Sequence, residues 1–362
     1  MSSPRALPSS FVERLEGAGF ARVTPGVLQP AEPFLDVMGE ELRQRVFLTS
    51  DAQGHELCLR PDFTIPTALI HISRGACDAP GAYFYEGPVF RHGSNGGEAP
   101  QAGVESFGRA DAIAAETEVL ALAIEACGAL GLPEPAIRIG DRAVVEAAVD
   151  ALDAPVAFRR RLKRSLAHGG TLEALSVARA EEAEHAGLFA ALAAAGPESG
   201  RAVIEDLLSL AGIAAVGGRT AGEIAERFLE RAEALSVELP ADARRALGAL
   251  LAVDDLAPEA LATLQALSES AGVSTAVATL GERLDTFRKA GLPVERMRFQ
   301  TRFGRGLDYY TGLVFELSGA SGSEPVAGGG RYDGLLTALG APKRTPGVGF
   351  ALWLERFPGA RP

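Results

Sequence analysis

A change of residue pattern along the chain constrains its fold more than any single motif does. Residues 1–140 mix short β-type runs with turns, and such runs return over residues 285–362. Between them, residues 147–275 are rich in Ala, Leu, Glu and Arg, with apolar residues such as Ile204 and Leu207 at helical spacing. The pattern predicts one discontinuous α+β domain, interrupted by a helical insertion that packs outside it.

Composition narrows the class of protein. The chain has 362 residues, of which 47% are apolar and 23% charged, which is enough for a sizeable core. Its formal net charge is −12, and binding to a polyanion relies on an excess of Lys and Arg, so nucleic acid is not the expected partner. The basic run at residues 159–164 is the exception, and such runs more often form a solvated helix face than an RNA contact.

Cysteine usage and hydropathy indicate a reduced, non-membrane setting. Cys58, Cys77 and Cys127 are widely spaced and form no CxxC motif, so neither a disulfide framework nor a zinc site is predicted. No metal or cofactor is expected. No run of 18 uncharged apolar residues is present, and the N-terminal segment lacks the apolar core of a secretory signal, so a cytoplasmic location without a membrane span is expected.

Four stretches carry more polar chemistry than a scaffold needs. They are residues 59–64, residues 85–108, residues 304–312, and residues 328–334 with the following 347–357. Alternate residues of a strand share one face, so Gln101, Gly103 and Glu105 are expected to point together, with Gly103 leaving room for a ligand. Strand alternation also predicts that Tyr309 and Tyr310 point to opposite faces, so that only one of them contacts a ligand.

The side chains of these stretches suit a zwitterionic amino acid with a polar side chain. The guanidinium of Arg91 matches a carboxylate or a phosphate. Asp62 and Thr64 can accept hydrogen bonds from an ammonium group, and Glu105 and Tyr310 can bind an imidazole or a hydroxyl. The glycine run that begins at residue 328 matches neither GxGxxG nor a P-loop, and it is expected to form a turn rather than a phosphate cradle.

Taken in order, the four stretches resemble the catalytic core of histidyl-tRNA synthetase, a class II aminoacyl-tRNA synthetase, over about residues 10–140 and 285–357. RGLDYY at 305–310 and GGRYDG at 329–334 are the most specific parts. The three motifs of the class resemble residues 19–34, which would form the dimerising segment, residues 90–92 and residues 347–357. The resemblance implies an antiparallel sheet flanked by helices.

The resemblance also implies a role for each matching residue. Asp62, Thr64 and Gln101 would hold the α-amino group, although the first is usually Glu in the family. Glu105 and Tyr310 would contact the imidazole, Arg91 and Arg305 would take the carboxylate and an α-phosphate, and Arg356 would lie under ATP. The histidine-binding set expected on this basis is Asp62, Thr64, Arg91, Gln101, Glu105, Arg305, Tyr309 and Tyr310.

Three departures from the synthetase pattern argue against aminoacylation, and no catalytic residue is expected. The chain stops five residues after Phe357, which leaves no anticodon-binding domain. The loop at residues 93–100 contains no Lys or Arg, and its Glu98 would repel phosphates. Trp353 stands where the motif usually has a small residue. Its indole either fills the nucleotide space or packs in the core, so Trp353 and Arg356 are expected to mark a vestigial nucleotide site.

These departures are typical of a synthetase-like group, the regulatory subunits of ATP phosphoribosyltransferase, which the chain resembles. The resemblance implies a short-form catalytic subunit as partner, which condenses ATP with phosphoribosyl pyrophosphate in histidine biosynthesis. This chain would activate that partner and mediate inhibition by histidine, as a homodimer within a larger hetero-oligomer. Two alternatives stay open: a shortened histidine-adenylating ligase or synthetase paralogue, and a sensor of tRNA or histidine without an enzyme partner.

Overall fold

A computed structural model of the chain describes most of the residues outside the middle of the insertion. The described residues are 6–38, 43–75, 79–93, 95–167, 170, 172, 202, 203, 206, 210, 215, 216, 219, 220, 239–304, 309–319 and 324–358. Of the residues predicted to bind histidine, Arg305 lies outside this set.

The described residues form fourteen strands. They are β1 Ala21–Arg22, β2 Leu28–Pro30, β3 Leu48–Ser50, β4 Glu56–Leu59, β5 Gly81–Phe90, β6 Glu98–Phe107, β7 Ala136–Asp141, β8 Ala215–Val216, β9 Arg219–Thr220, β10 Asp254–Leu256, β11 Met297–Gln300, β12 Leu313–Ser318, β13 Pro325–Arg331 and β14 Gly347–Trp353.

Ten α-helices accompany these strands in the described part of the chain. They are α1 Ser9–Gly17, α2 Glu32–Val37, α3 Thr64–Ser73, α4 Ala112–Ala129, α5 Arg142–Asp150, α6 Val156–Ala167, α7 Ala241–Leu251, α8 Ala257–Leu267, α9 Ser274–Lys289 and α10 Leu335–Ala338. None of them is both long enough and apolar enough to cross a membrane.

A nine-stranded sheet forms the centre of the fold, in the order β1-β5-β6-β14-β13-β12-β7-β11-β10. Its pairings are antiparallel except for β1 with β5 and β7 with β11. A smaller sheet, β2-β4-β3, lies beside it, and β8 with β9 forms a two-stranded ribbon. The expected α+β class, with a large antiparallel sheet flanked by helices, is confirmed.

The two faces of the main sheet pack against different helices. The larger apolar core joins one face to α1 and α4–α9, and a smaller core joins the other face to α2, α3 and α10. Strand alternation divides β6 between them, because Ala102 and Val104 belong to the larger core while Gln101 and Glu105 face the other way. The polar face of β6 is therefore directed towards the smaller core.

The segment between β7 and β11 is only partly an outside insertion. β7 and β11 are parallel neighbours, with Ile137 opposite Met297, so the chain leaves the sheet and returns to the adjacent position. Within the predicted insertion, however, β10 forms one edge of the main sheet and α8 packs in the larger core. β10 has only three residues, two of them Asp254 and Asp255, and so carries none of the β-branched pattern by which a strand is predicted.

Candidate functional site

A cavity of about 300 Å³ opens on the polar face of β6, a volume suited to a small metabolite. It lies among β6, β13, β14, the start of α3 and the turn that precedes β12. The predicted residues that line it are Asp62, Thr64, Arg91, Gln101, Glu105, Tyr309, Tyr310, Trp353 and Arg356. The structure thus brings together every predicted site residue that it describes, from four separate stretches of the chain. Arg45, Glu316 and Tyr332, which no motif singled out as ligand contacts, also line the cavity.

Small residues on three adjacent strands make the floor of the cavity. Glu105 of β6 lies opposite Gly349 of β14, which in turn lies opposite Gly330 of β13. A Cβ atom on Gly349 would lie 1.8 Å from Oε2 of Glu105, so the Glu105 side chain can lie across β14 only because this residue is glycine. The expectation of a turn at residues 328–330 is wrong, because these glycines belong to β13.

Glu105 is the most heavily hydrogen-bonded group of the cavity. Its Oε1 accepts hydrogen bonds from the Thr64 hydroxyl at 2.7 Å and from the Tyr85 hydroxyl at 3.2 Å, and its Oε2 accepts one from Tyr332. Burial raises the pKa of the Glu105 carboxyl to about 8, although the three hydroxyl groups oppose the shift. A ligand that brings a proton-donating or cationic ring to this carboxylate would compensate for the cost of its burial.

The structure corrects the role predicted for Gly103. Tyr85 of β5 lies opposite Gly103, and a Cβ there would meet the Tyr85 hydroxyl oxygen at 2.5 Å and the Phe350 carbonyl oxygen at 2.2 Å. The missing side chain therefore makes room for Tyr85, which holds Glu105, and not for a ligand. The Tyr85 ring also stacks on Phe63, with 4.5 Å between the ring centroids.

A second group of polar side chains lines the same cavity. Asp62 is buried, and its Oδ1 accepts a hydrogen bond from the Ile65 backbone N–H at 3.2 Å. Burial raises the pKa of Asp62, while the nearby Arg91 guanidinium acts to lower it. Arg91 donates from Nε to the Pro61 carbonyl at 2.7 Å. Gln101 is only 2% exposed, and its Oε1 has no hydrogen-bond partner among the described residues.

Tyr309 and Tyr310 lie in a turn before β12 and not in a strand. Both side chains line the cavity, with 5.0 Å between their ring centroids, so the prediction that they face opposite ways is wrong. The alternation rule failed because it applies only to extended backbone. The Tyr309 ring also meets the Tyr332 ring edge-on at 5.7 Å, which joins this turn to the group that holds Glu105.

Trp353 and Arg356 form the wall of the cavity farthest from Glu105 along β14. Trp353 lies opposite Gln101 and is half-buried, so it belongs to the cavity and not to the apolar core. The Arg356 guanidinium carbon lies 4.6 Å from the centroid of the Trp353 ring system, a cation–π contact, and its Nη1 donates to the Pro325 carbonyl at 2.8 Å. An indole therefore already covers the guanidinium face of this arginine.

The fold and the cavity define a class II synthetase-like protein that carries an amino-acid-sized site. Residues 3–226 and 219–357 match the family model for histidyl-tRNA synthetase. A crystal structure of an ATP phosphoribosyltransferase regulatory subunit/histidyl-tRNA synthetase from Bacillus halodurans is similar in fold, with a TM-score of 0.69 and 23% identity, covering 96% of this chain and 76% of that one. The chain belongs to the histidyl-tRNA synthetase-like family.

Curated relatives show to which group within this family the chain belongs. The ATP phosphoribosyltransferase regulatory subunit of Mesorhizobium japonicum is 41% identical over 350 residues, which covers 94% of this chain and 93% of the relative. The regulatory subunit of Agrobacterium fabrum is 38% identical over 362 residues, with 97% and 96% covered. Within the synthetase-like family, the chain belongs to the ATP phosphoribosyltransferase regulatory subunits, as its motifs predicted.

Proposed function

We propose that this chain is a non-catalytic subunit that binds histidine in the 300 Å³ cavity and sets the rate of a short-form ATP phosphoribosyltransferase catalytic subunit. The partner performs the condensation of ATP with phosphoribosyl pyrophosphate, and histidine inhibits it through this chain. The convergence of predicted amino-acid contacts in one cavity carries the proposal, together with the relatives that are named regulatory subunits.

The chemistry of the cavity matches the functional groups of histidine. Asp62 and the unpartnered Oε1 of Gln101 can accept hydrogen bonds from the α-ammonium group, and the Arg91 guanidinium can pair with the α-carboxylate. The Glu105 carboxylate can accept the N–H of an imidazole ring, and Tyr310 lines the same cavity. Two acidic side chains and an arginine in one cavity favour a zwitterion with a basic ring.

The wall around Trp353 supports the view that the chain does not activate histidine with ATP. The indole lies against the Arg356 guanidinium and so covers one of its two faces, which leaves less room there for a nucleotide base. Beyond Arg91, which the proposal assigns to the α-carboxylate, the hairpin loop between β5 and β6 contains no Lys or Arg that would bind a triphosphate.

The decisive experiment measures the phosphoribosyltransferase rate of the cognate catalytic subunit, with and without this chain, as histidine is added. We expect a large increase in rate that histidine suppresses. Glu105→Gln should keep the increase and lose most of the suppression, while Glu316→Gln, a change in the same cavity at a carboxylate paired with Arg138 at 2.6 Å, should keep both. No change in rate, with no co-migration of the two proteins, would contradict the proposal.

A second candidate function is a shortened histidine-adenylating ligase, which the presence of Arg91 and Arg356 in the cavity favours. Both arginines match positions that handle the carboxylate and ATP in the resemblance. Histidine-dependent exchange of pyrophosphate into ATP distinguishes the two functions. Exchange above background that Arg91→Ala abolishes would replace the regulatory proposal with the ligase.

We also propose that the chain forms a homodimer through residues 19–34, which resemble the dimerising segment of the class, together with the small sheet to which β2 belongs. Leu28 of β2 and Leu48 of β3 are 53% and 51% exposed, and the neighbouring Val27 is 39% exposed. The strand register puts the two leucines on opposite faces of the small sheet, and each exposes a large apolar side chain that a partner chain can cover. Light scattering should give twice the chain mass for the parent protein and a smaller mass for a Leu28→Ser, Leu48→Ser double variant. An unchanged mass would place the dimer contact elsewhere.

A further inference from the structure

Four buried charged residues hold the two ends of the chain segment that separates β7 from β11. Asp141 precedes α5, which begins this segment, and Arg283 lies on α9, which ends its helical part. Glu116 of α4 and Arg331 of β13 complete the set, and all four side chains are 6% exposed or less. We call these four residues the buried ion cluster.

Glu116 is the bridge of the buried ion cluster. Its Oε2 lies 2.6 Å from Nε of Arg283, and its Oε1 accepts a hydrogen bond from Nε of Arg331. Arg283 also forms an ion pair with Asp141, in which Nη1 donates to Oδ2 at 2.5 Å. The other carboxylate oxygen of Asp141 accepts the Ala143 backbone N–H at 3.0 Å and so caps α5. Glu116 thus connects β13 to α9, and the ion pair of Arg283 with Asp141 extends the connection to α5.

The same cluster is in contact with two walls of the cavity. Arg331 ends β13 and is followed directly by Tyr332, whose hydroxyl donates to Glu105, so a residue of the cluster and a residue of the cavity are neighbours in the chain. The turn that holds Tyr309 and Tyr310 continues into Thr311, whose N–H donates to the Arg331 carbonyl at 2.8 Å. Gly312 follows, and its carbonyl accepts the N–H of the first residue of α5 at 2.9 Å.

We propose that the buried ion cluster transmits occupation of the cavity to α5 and α9, so that these two helices signal the bound state. The inference rests on the proposed histidine site. A buried carboxylate shared by two guanidinium groups admits few arrangements, because a displaced partner would leave an unpaired charge out of water. When a ligand engages Glu105 and the tyrosine turn, the movement of β13 and that turn therefore reaches both helices together.

Glu116→Gln tests this connection. The amide keeps the size of the carboxylate and removes its charge, while Arg283 keeps Asp141 as a partner and Arg331 keeps Asp333, which it contacts at 2.8 Å. Asp333→Asn is the matched control, because it weakens a partner of Arg331 without touching the bridge. Arg283→Lys is the second variant should Glu116→Gln fail to fold, since a single ammonium cannot span both carboxylates.

Two readouts are combined on the full-length chain and on its complex with the catalytic subunit. In the parent protein and in Asp333→Asn, added histidine should slow amide hydrogen exchange in α5 and α9. In Glu116→Gln, we expect the affinity for histidine to stay within about threefold of the parent, while histidine no longer slows amide exchange in α5 and α9. The effect of histidine on the rate should be at least about fivefold smaller, which is the scale of typical couplings between sites.

The outcomes separate this inference from the proposed function. If the parent chain binds histidine but α5 and α9 exchange as before, or if Glu116→Gln responds like the parent, the inference is wrong and the histidine site stands. If the parent chain binds no histidine, the proposed site itself is wrong, and the inference is overturned with it. Equal loss of response in Glu116→Gln and Asp333→Asn would show a general loss of stability in place of a specific connection.

Discussion

The carboxyl group of Glu105 should impose a measurable pH dependence on the unfolding of this protein. Burial raises the pKa of that group from 4.5 to about 8 in the folded chain, because the hydrogen bonds that it accepts do not offset the lost solvation. The folded protein therefore binds this proton more tightly than the unfolded chain does. The contribution of this group to stability is fully present below pH 4.5 and is lost as the pH rises towards about 8, where the folded protein also releases the proton.

The size of the effect follows from the same two values. One pKa unit corresponds to about 1.4 kcal/mol, so the free energy of unfolding should fall by about 1.4 kcal/mol for each pH unit in this window. The total reaches at most about 5 kcal/mol, as much as the whole stability of some domains. Glu105→Gln keeps the shape of the side chain but cannot titrate. The free energy of unfolding of the variant should therefore increase relative to that of the parent protein as the pH rises.

Urea unfolding of the parent protein and of Glu105→Gln across the window from 4.5 to about 8 checks this prediction. The difference between the two proteins should widen with pH. Parallel slopes for the parent and Glu105→Gln would refute burial of a titrating carboxyl as the cause. A Glu105→Gln protein that is more stable and yet binds histidine poorly would show that the binding group is kept at a cost in stability.

Two further predictions concern the floor and the outer wall of the cavity. Gly349→Ala places a methyl group 1.8 Å from Glu105 Oε2, so it should lower the free energy of unfolding by about 1–3 kcal/mol and abolish histidine binding in calorimetry. Gly334→Ala, where a Cβ meets nothing within 4 Å, should do neither, and equal effects would exclude this steric argument. Arg356→Ala should change the fluorescence emission of Trp353, the single tryptophan of the chain, because it removes the guanidinium that contacts the indole. Identical emission spectra would show that the two groups are not in contact in solution.

Local sequence patterns predicted which residues line the cavity better than they predicted the contacts that hold those residues in place. Strand alternation placed Gln101 and Glu105 on one face of β6, and the motifs supplied the remaining groups, because both kinds of signal lie in short stretches of sequence. The prediction for Gly103 was wrong because the role of this residue depends on Tyr85. The pairing of β5 with β6 brings the two residues together, and the sequence of neither strand alone predicts that pairing. The prediction for Tyr309 failed because it assumed strand geometry where the backbone turns.

The buried ion cluster shows why some features lie beyond sequence reasoning. Glu116 is buried, although it lies on a helix that also carries Glu118 and Glu125, and nothing near it in sequence indicates a partner. Arg283 and Arg331 stand far along the chain and reach Glu116 only after the sheet and its helices have packed. Such a cluster is a product of tertiary structure, and no local sequence pattern predicted it.

The pairing of β6 with β14 has a consequence for how the protein is made. Glu105 and Gly349, which face each other at the floor of the cavity, are separated by about 240 residues, and ribosomes add about 5–20 residues each second. The first half of the sheet thus leaves the ribosome on the order of 10–50 seconds before the strand that completes it. During that interval Glu105 has no finished cavity around it, so the proposed histidine ligand has no complete site. A ligand of this cavity therefore acts on the finished subunit and cannot guide the early stages of its folding.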